Sequence, residues 1–207
     1  MIGIFGGTFD PVHYGHLRSA LEVKDIFGLK EIRLIPSAQP PHRQLPATTA
    51  LMRVEMLNLA ITNQHGLLVD TREIDRDGPS YMVDTLSSLR QEFPNEPILL
   101  FIGSDAFNHL TTWHKWQQLF DYSHIVVMTR PGFDSPIYDD FFTDRLSEHR
   151  TELAQNTAGK LYFQQVIQLD ISASAIRNMI ADQQDPRFLL PDPVIAYIQH
   201  HQLYKRH

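Results

Sequence analysis

The chain has 207 residues, 43% of them hydrophobic and 20% charged, with a net charge of −6 and no cysteine. This length supports one sizeable core, and the lack of thiols excludes disulfides, thiolate catalysis and cysteine-bound metal clusters. The acidic balance argues against a general nucleic-acid binder, no stretch has the apolar length of a membrane span, and no secretory leader is evident, so a cytoplasmic enzyme is expected.

Residues 2–7 (IGIFGG) read as a short buried strand ended by glycines. Residues 16–27 read as a helix with Leu17, Ala20, Leu21 and Phe27 on one face. A second strand at 31–37 stops at Pro36, and the proline-rich stretch 38–46 reads as a loop. Thr49 is positioned to cap a helix whose apolar face would carry Leu51, Val54, Leu57 and Ile61. A strand is expected at 67–70. A helix follows at 80–93, with Val83, Leu86, Phe93 and the stem of Arg90 inward. Residues 97–103 (PILLFIG) are almost wholly apolar, as a central parallel strand would be.

The spacing next predicts a short helix at 113–120, a buried strand at 124–130, a loop at 131–140, a polar helix at 142–157 and a strand at 160–166. Ser172 would cap a helix over 172–182. A final helix is expected after Asp192 as cap and Pro193 at its first position, with Val194, Tyr197, Ile198 and His201 inward. Strand and helix alternate along most of the chain, so the fold class is α/β, a mainly parallel central sheet with helices on both faces. No linker or repeat divides the chain. A single domain over 1–207 is expected, with a small helical part from about residue 171.

The first strand–helix junction carries the strongest chemical signal. In an open parallel sheet, ligands collect beyond the carboxyl ends of the strands. Gly6 and Gly7 allow close backbone approach there, Thr8 adds a hydroxyl and an amide, and Gly15 keeps the helix entrance narrow. Asp10, before Pro11, is expected to shape the turn by bonding its own backbone. The first helical turn exposes N–H groups that favour an anion. His13 and His16 stand at this entrance as donors that could carry positive charge toward phosphate oxygens. The pattern is neither a dinucleotide fingerprint nor a Walker loop. A zinc site with His13 and His16 is conceivable, with Asp10 or another residue as third ligand, but nothing in the spacing demands it, and no metal site is assigned. A second anion-binding corner begins at Ser172, a good cap, with Arg177 as a permanent forked donor.

GGTFDPVHYGH (6–16) and ISASAIR (171–177) together resemble the two signatures of the nucleotidyltransferase superfamily. Over nearly its full length the chain is similar to the bacterial nicotinate-nucleotide adenylyltransferases. The resemblance implies a Rossmann-like three-layer sandwich and transfer of adenylyl from ATP to nicotinate mononucleotide, with magnesium carried on the ATP phosphates. It implies that His13, His16 and Arg177 are catalytic, and that Gly6, Gly7, Thr8, Phe9, Asp105, Arg130, Ile171, Ser172 and Ser174 also face ATP. Relatives often have serine then threonine inside the second signature, where this chain has Ala173 and Ser174.

For the mononucleotide, the resemblance points to Thr8, Arg43, Tyr81, Thr85 and Trp113, with Arg43 on the phosphate and Trp113 stacked on the pyridine ring. Taken alone, Trp113 and Trp116 read more readily as a core pair. Competing acceptors are nicotinamide mononucleotide and phosphopantetheine, and a non-enzymatic nucleotide-binding module is the alternative of another class. The expected partners are small molecules, without nucleic acid or membrane. A homo-oligomer is left open.

Overall fold

Alternation within the strands decides which layer covers which face. In β1 (Ile2–Gly7), Ile2 and Ile4 enter one buried cluster and Phe5 enters another. In β4 (Ile98–Gly103), Ile98, Leu100 and Ile102 join the first cluster, whereas Leu99 and Phe101 join the second. β5 (His124–Thr129) divides in the same way, Ile125 and Val127 against Val126 and Met128. Strands apolar on both sides are what a fully covered parallel sheet requires.

The computed structural model describes residues 1–39, 46–130 and 139–206. The remaining strands are β2 (Ile32–Pro36), β3 (Leu67–Val69) and β6 (Leu161–Gln165). All six pair in parallel in the order β3-β2-β1-β4-β5-β6. Phe5 stands opposite Leu34 on one side and Phe101 on the other. Strand order reverses between β1 and β4, and their carboxyl ends open a crevice, the usual ligand position in such sheets.

The helices in chain order are α1 (Tyr14–Phe27), α2 (Ala50–Ala60), α3 (Met82–Glu92), α4 (Ser104–Asn108), α5 (Leu119–Tyr122), α6 (Asp140–Thr143), α7 (Ala173–Ala181) and α8 (Asp192–His200). α1, α2, α7 and α8 share the cluster containing Phe5, and α3 to α6 share the cluster containing Ile4. The result is the expected α/β sandwich with a central parallel sheet. Among the described residues, no helix is long and apolar enough to cross a membrane.

Several local expectations change. α1 starts at Tyr14, so His16 lies inside its first turn. α2 is capped by Thr49 as expected, its hydroxyl accepting the Met52 N–H, but the inner face is rotated. Arg53, Met56 and Leu57 are buried, while Leu51 is 69% exposed. On α3, Leu89 is buried in addition to Val83 and Leu86, beside the half-buried Arg90. Residues 142–157 do not form one helix. α6 ends at Thr143, Leu146 bridges to Leu161, and a separate 3-10 turn covers Arg150–Ala154. Likewise 110–122 is two 3-10 turns followed by α5. α8 is capped by Pro191 rather than Asp192, and Ile195, not His201, lies inward. In each case the apolar contacts available in three dimensions override weak local periodicity.

Arg90 has a structural task at the amino edge of the sheet. Its guanidinium donates to the carbonyls of Phe93 and Glu96 at 2.8 Å, and of Tyr122 and Thr157 at 2.7 Å. These carbonyls belong to the segments leading into β4, β5 and β6. Arg90→Leu strands them and is expected to destabilise the fold by about 2–4 kcal/mol. The loss will appear as a lower denaturation midpoint. Turnover per folded molecule should be nearly unchanged, because the crevice is at the opposite edge.

Candidate active site

The loop leaving β1 is built to hold a fixed backbone shape. Phe9 has φ 52, an uncommon torsion for a residue with a side chain. Its ring is buried at 1% exposure and meets His16 edge-on at 5.0 Å between centroids. A Cβ on Gly7 would stand 3.0 Å from the Phe9 ring, so glycine is what lets that ring fold back over the strand end.

Asp10 does not bond its own backbone, as the turn chemistry suggested. Its buried carboxylate accepts the Ala47 N–H, the Thr48 hydroxyl and the Tyr204 hydroxyl, each at 2.7 Å. Burial, together with the negative charge of Asp10, pushes the Tyr204 phenol strongly up, so it stays a neutral donor. The end of the chain is thereby fastened to the first loop.

The His13 and His16 rings stack with centroids 3.8 Å apart, and the His13 N–H donates to Nδ1 of His16 at 3.3 Å. His13 is only 5% exposed. Burial lowers its pKa from 6.5 to about 4, so in the free protein at neutral pH it is an uncharged imidazole. Its Nδ1 is buried without a protein partner. A Cβ on Gly15 would lie 2.9 Å from that nitrogen and 3.4 Å from the Ile171 carbonyl oxygen, so Gly15 keeps this corner open.

The second signature closes on the first. Ser172 caps α7, its hydroxyl accepting the Ala175 N–H at 3.1 Å, and Ile171 packs against the core cluster. Arg177 donates through Nη1 to the Asp10 carbonyl at 2.7 Å and through Nη2 to the Ser174 hydroxyl at 3.3 Å. The two motifs thus form one corner. Arg130, at the end of β5, is exposed and pairs with Gln168 and Asp170 on the segment leading to α7.

A cavity of about 600 Å³ opens beside this corner at the sheet's carboxyl edge. Gly6, Gly7 and Thr8 form one wall, and Tyr81, Asp105 and Trp113 lie on others. Tyr81 packs against His114 at 4.3 Å. The two tryptophans separate in function. Trp116 stacks on Phe142 at 5.2 Å within an aromatic cluster, whereas Trp113 faces the cavity. Thr85 lies behind the wall, fully buried, its hydroxyl donating to Glu73 at 2.7 Å and its N–H to the Tyr81 carbonyl at 3.3 Å. Arg43 lies outside the described residues.

Two residues at this site were not singled out from sequence. Glu73 is buried on the cavity wall, where burial raises its pKa despite bonds from Thr85 and Ser80. Ser80 in turn accepts the N–H groups of Ala38 and Gln39. Arg53, 1% exposed, donates to the Thr8 carbonyl at 2.7 Å. The apolar Met56 and Leu57, three and four positions after it, were the available signal for its inward direction. Nothing local marks Glu73.

The chain matches the family described as cytidylyltransferase-like over residues 4–179. It is 47% identical to a Methylococcus capsulatus protein named "Probable nicotinate-nucleotide adenylyltransferase", over 100% of both chains. It is 45% identical to a protein of the same name from Pseudomonas putida, covering 99% of this chain and 94% of the other. A solved nicotinic acid mononucleotide adenylyltransferase from Plasmodium falciparum, complexed with NaAD, superposes with a TM-score of 0.74 at 19% identity, covering 98% of this chain and 96% of that one.

The buried His13 makes stability fall in acid. Its folded pKa of about 4 lies below the ordinary 6.5, so its contribution is complete above pH 6.5 and is lost as pH falls toward 4. About 3 kcal/mol is expected to disappear across that window. His124 is also buried and shifted downward, so it acts with the same sign. The measurement is therefore a comparison of denaturant unfolding at neutral and acidic pH between the natural chain and His13→Asn, whose curve should be flatter.

Proposed function

The chain belongs to the nicotinate-nucleotide adenylyltransferase family, and we propose that it transfers the adenylyl group of ATP to nicotinate mononucleotide, giving deamido-NAD and pyrophosphate. The observation that carries the site assignment is the 2.7 Å bond from Arg177 to the Asp10 carbonyl, which joins the two signatures in one anion-binding corner. A triphosphate there would meet the loop from Gly6 to Phe9, the histidine pair, the start of α7 at Ser172 and Ser174, and the Arg177 fork.

The mononucleotide phosphate attacks the α-phosphorus of ATP in line, and the bond to pyrophosphate breaks. This phosphate is already ionised at neutral pH, its second pKa being about 6, so no strong base is needed. The protein aligns the two substrates and offsets the charge that gathers on the transferring and leaving oxygens. His13 and His16 donate from imidazole N–H groups. His13 binds as the neutral ring, and the triphosphate's negative charge then favours its protonated form. Arg177 supplies a permanent charge.

Magnesium enters as part of the nucleotide substrate. Phosphate oxygens and water would be its main ligands, as is usual for this ion on a nucleotide.

The cavity beside this corner suits the flat pyridine ring, with Tyr81 and Trp113 as aromatic walls. Arg43 is assigned to the mononucleotide phosphate, and Asp105 and Arg130 to ATP. Ile171 contributes backbone beside Gly15. Thr85 acts from behind the wall through Tyr81 and Glu73.

Pyrophosphate release with ATP and each of nicotinate mononucleotide, nicotinamide mononucleotide and phosphopantetheine tests the assignment. Rapid turnover is expected with the nicotinate acceptor alone. Exclusive use of either other acceptor overturns the substrate, and no release with any acceptor overturns the activity. In the same assay, His16→Ala and Arg177→Ala should each lower turnover by about a hundredfold. Near-normal turnover in a folded variant removes that residue from the catalytic set.

A further inference from the structure

The Arg53 side chain is a buried cation outside both signatures. It comes from the first turn of α2, and its guanidinium lies beneath the first loop. Its short bond is to the Thr8 carbonyl at 2.7 Å, with a long contact to the Ala38 carbonyl at 3.5 Å, and its Nε is buried without a partner. Asp10 and Tyr204 lie near enough to act on its charge. Burying a guanidinium is costly unless its interactions compensate; here one short carbonyl bond, one long contact and the nearby Asp10 carboxylate offset the cost while Nε stays unpaired. The arrangement therefore suggests a use for that charge.

The use follows from peptide geometry. In a planar trans peptide the C=O and N–H point in opposite directions. By holding the Thr8 C=O, Arg53 turns the N–H of Phe9 to the other side of the loop. That N–H has no protein partner among the described residues. Phe9 also sits at φ 52, a torsion that persists only when surrounding contacts enforce it. Arg53 enforces it from one side, and Arg177 holds the Asp10 carbonyl from the other.

We propose that Arg53 is a positioning residue for the ATP phosphates: it fixes the Thr8–Phe9 peptide so that the Phe9 N–H faces the anion, and places a buried positive charge beneath it. This rests on the triphosphate reading of the corner. Without Arg53, the peptide can rotate and present its carbonyl oxygen, which repels phosphate. The residue acts through the peptide and does not touch the substrate.

The test compares Arg53→Gln and Arg53→Lys with the natural chain, measuring unfolding, kcat and KM for each substrate. Glutamine keeps a single donor nitrogen but no charge. Lysine keeps the charge on a single donor nitrogen. In folded Arg53→Gln, kcat/KM for ATP should fall about tenfold or more while KM for the mononucleotide changes less than about twofold. Arg53→Lys should recover most of the loss. Unchanged ATP parameters in folded Arg53→Gln, or equal losses toward both substrates, overturn the proposal.

A second measurement does not depend on either variant folding. Titrating the natural chain with a non-hydrolysable ATP analogue should move the Phe9 amide proton downfield in NMR, as a new bond to phosphate requires. Saturation without that shift also overturns it. If the natural chain releases no pyrophosphate from ATP and mononucleotide, the functional assignment fails instead, so the two failures are distinguishable.

Discussion

The Thr8–Asp10 backbone is held from several directions at once. Arg53 of α2 binds the Thr8 carbonyl, Arg177 of α7 binds the Asp10 carbonyl, and Ala47, Thr48 and Tyr204 bind the Asp10 carboxylate. A polyphosphate is strongly hydrated in water. A site can replace that hydration only with donors already in place, since reorganising them later would cost what binding gains. Carbonyl oxygens in the same loop would oppose the anion. Occupying them with guanidinium groups removes that conflict and brings positive charge close by. The strained Phe9, the stacked histidines and the open corner at Gly15 all depend on this loop keeping one shape.

The sheet divides the remaining work. The reversal of strand order between β1 and β4 opens the crevice, and Gly6 and Gly7 border both the corner proposed for the triphosphate and the aromatic cavity. A Cβ on Gly6 would stand 2.7 Å from the Met82 side chain, so the shared wall is as thin as backbone allows. Hydrogen-bond donors lie toward α1, guanidinium groups come from α2 and α7, and aromatic walls lie toward α3 and the segment after β4. A chain with net charge −6 can hold anions in this way, because a few donors at short range outweigh a diffuse negative surface.

Much of this was legible in the sequence, for identifiable reasons. The stretches 2–7, 97–103 and 124–130 each carry a short apolar run bounded by glycine, proline or polar residues, a length and flanking that suit a buried strand. Thr49 and Ser172 were readable as caps because capping is settled within three residues. Where several apolar residues offered competing helical faces, as in α2, the choice fell to packing against α8, and the buried Arg53 went unseen. The tryptophan pair was ambiguous for the same reason. Only the aromatic cluster around Phe141 and Phe142 draws Trp116 inward and leaves Trp113 to the cavity.

The sequence by itself determined the six strands in order, the main helices between them, the covered parallel sheet, the two signatures and the family they resemble. The strands and helices follow from side-chain periodicity and backbone torsions, which act over a few neighbouring residues, and the family follows from the resemblance of the two signatures. Only the tertiary structure decided what the signature residues bond to. Arg177 reaches a carbonyl 167 positions away and Tyr204 a carboxylate 194 positions away, and burial holds His13 neutral in the free protein. Such partners, and the desolvation that shifts a proton, exist only after the sheet has brought distant segments together and expelled the water between them.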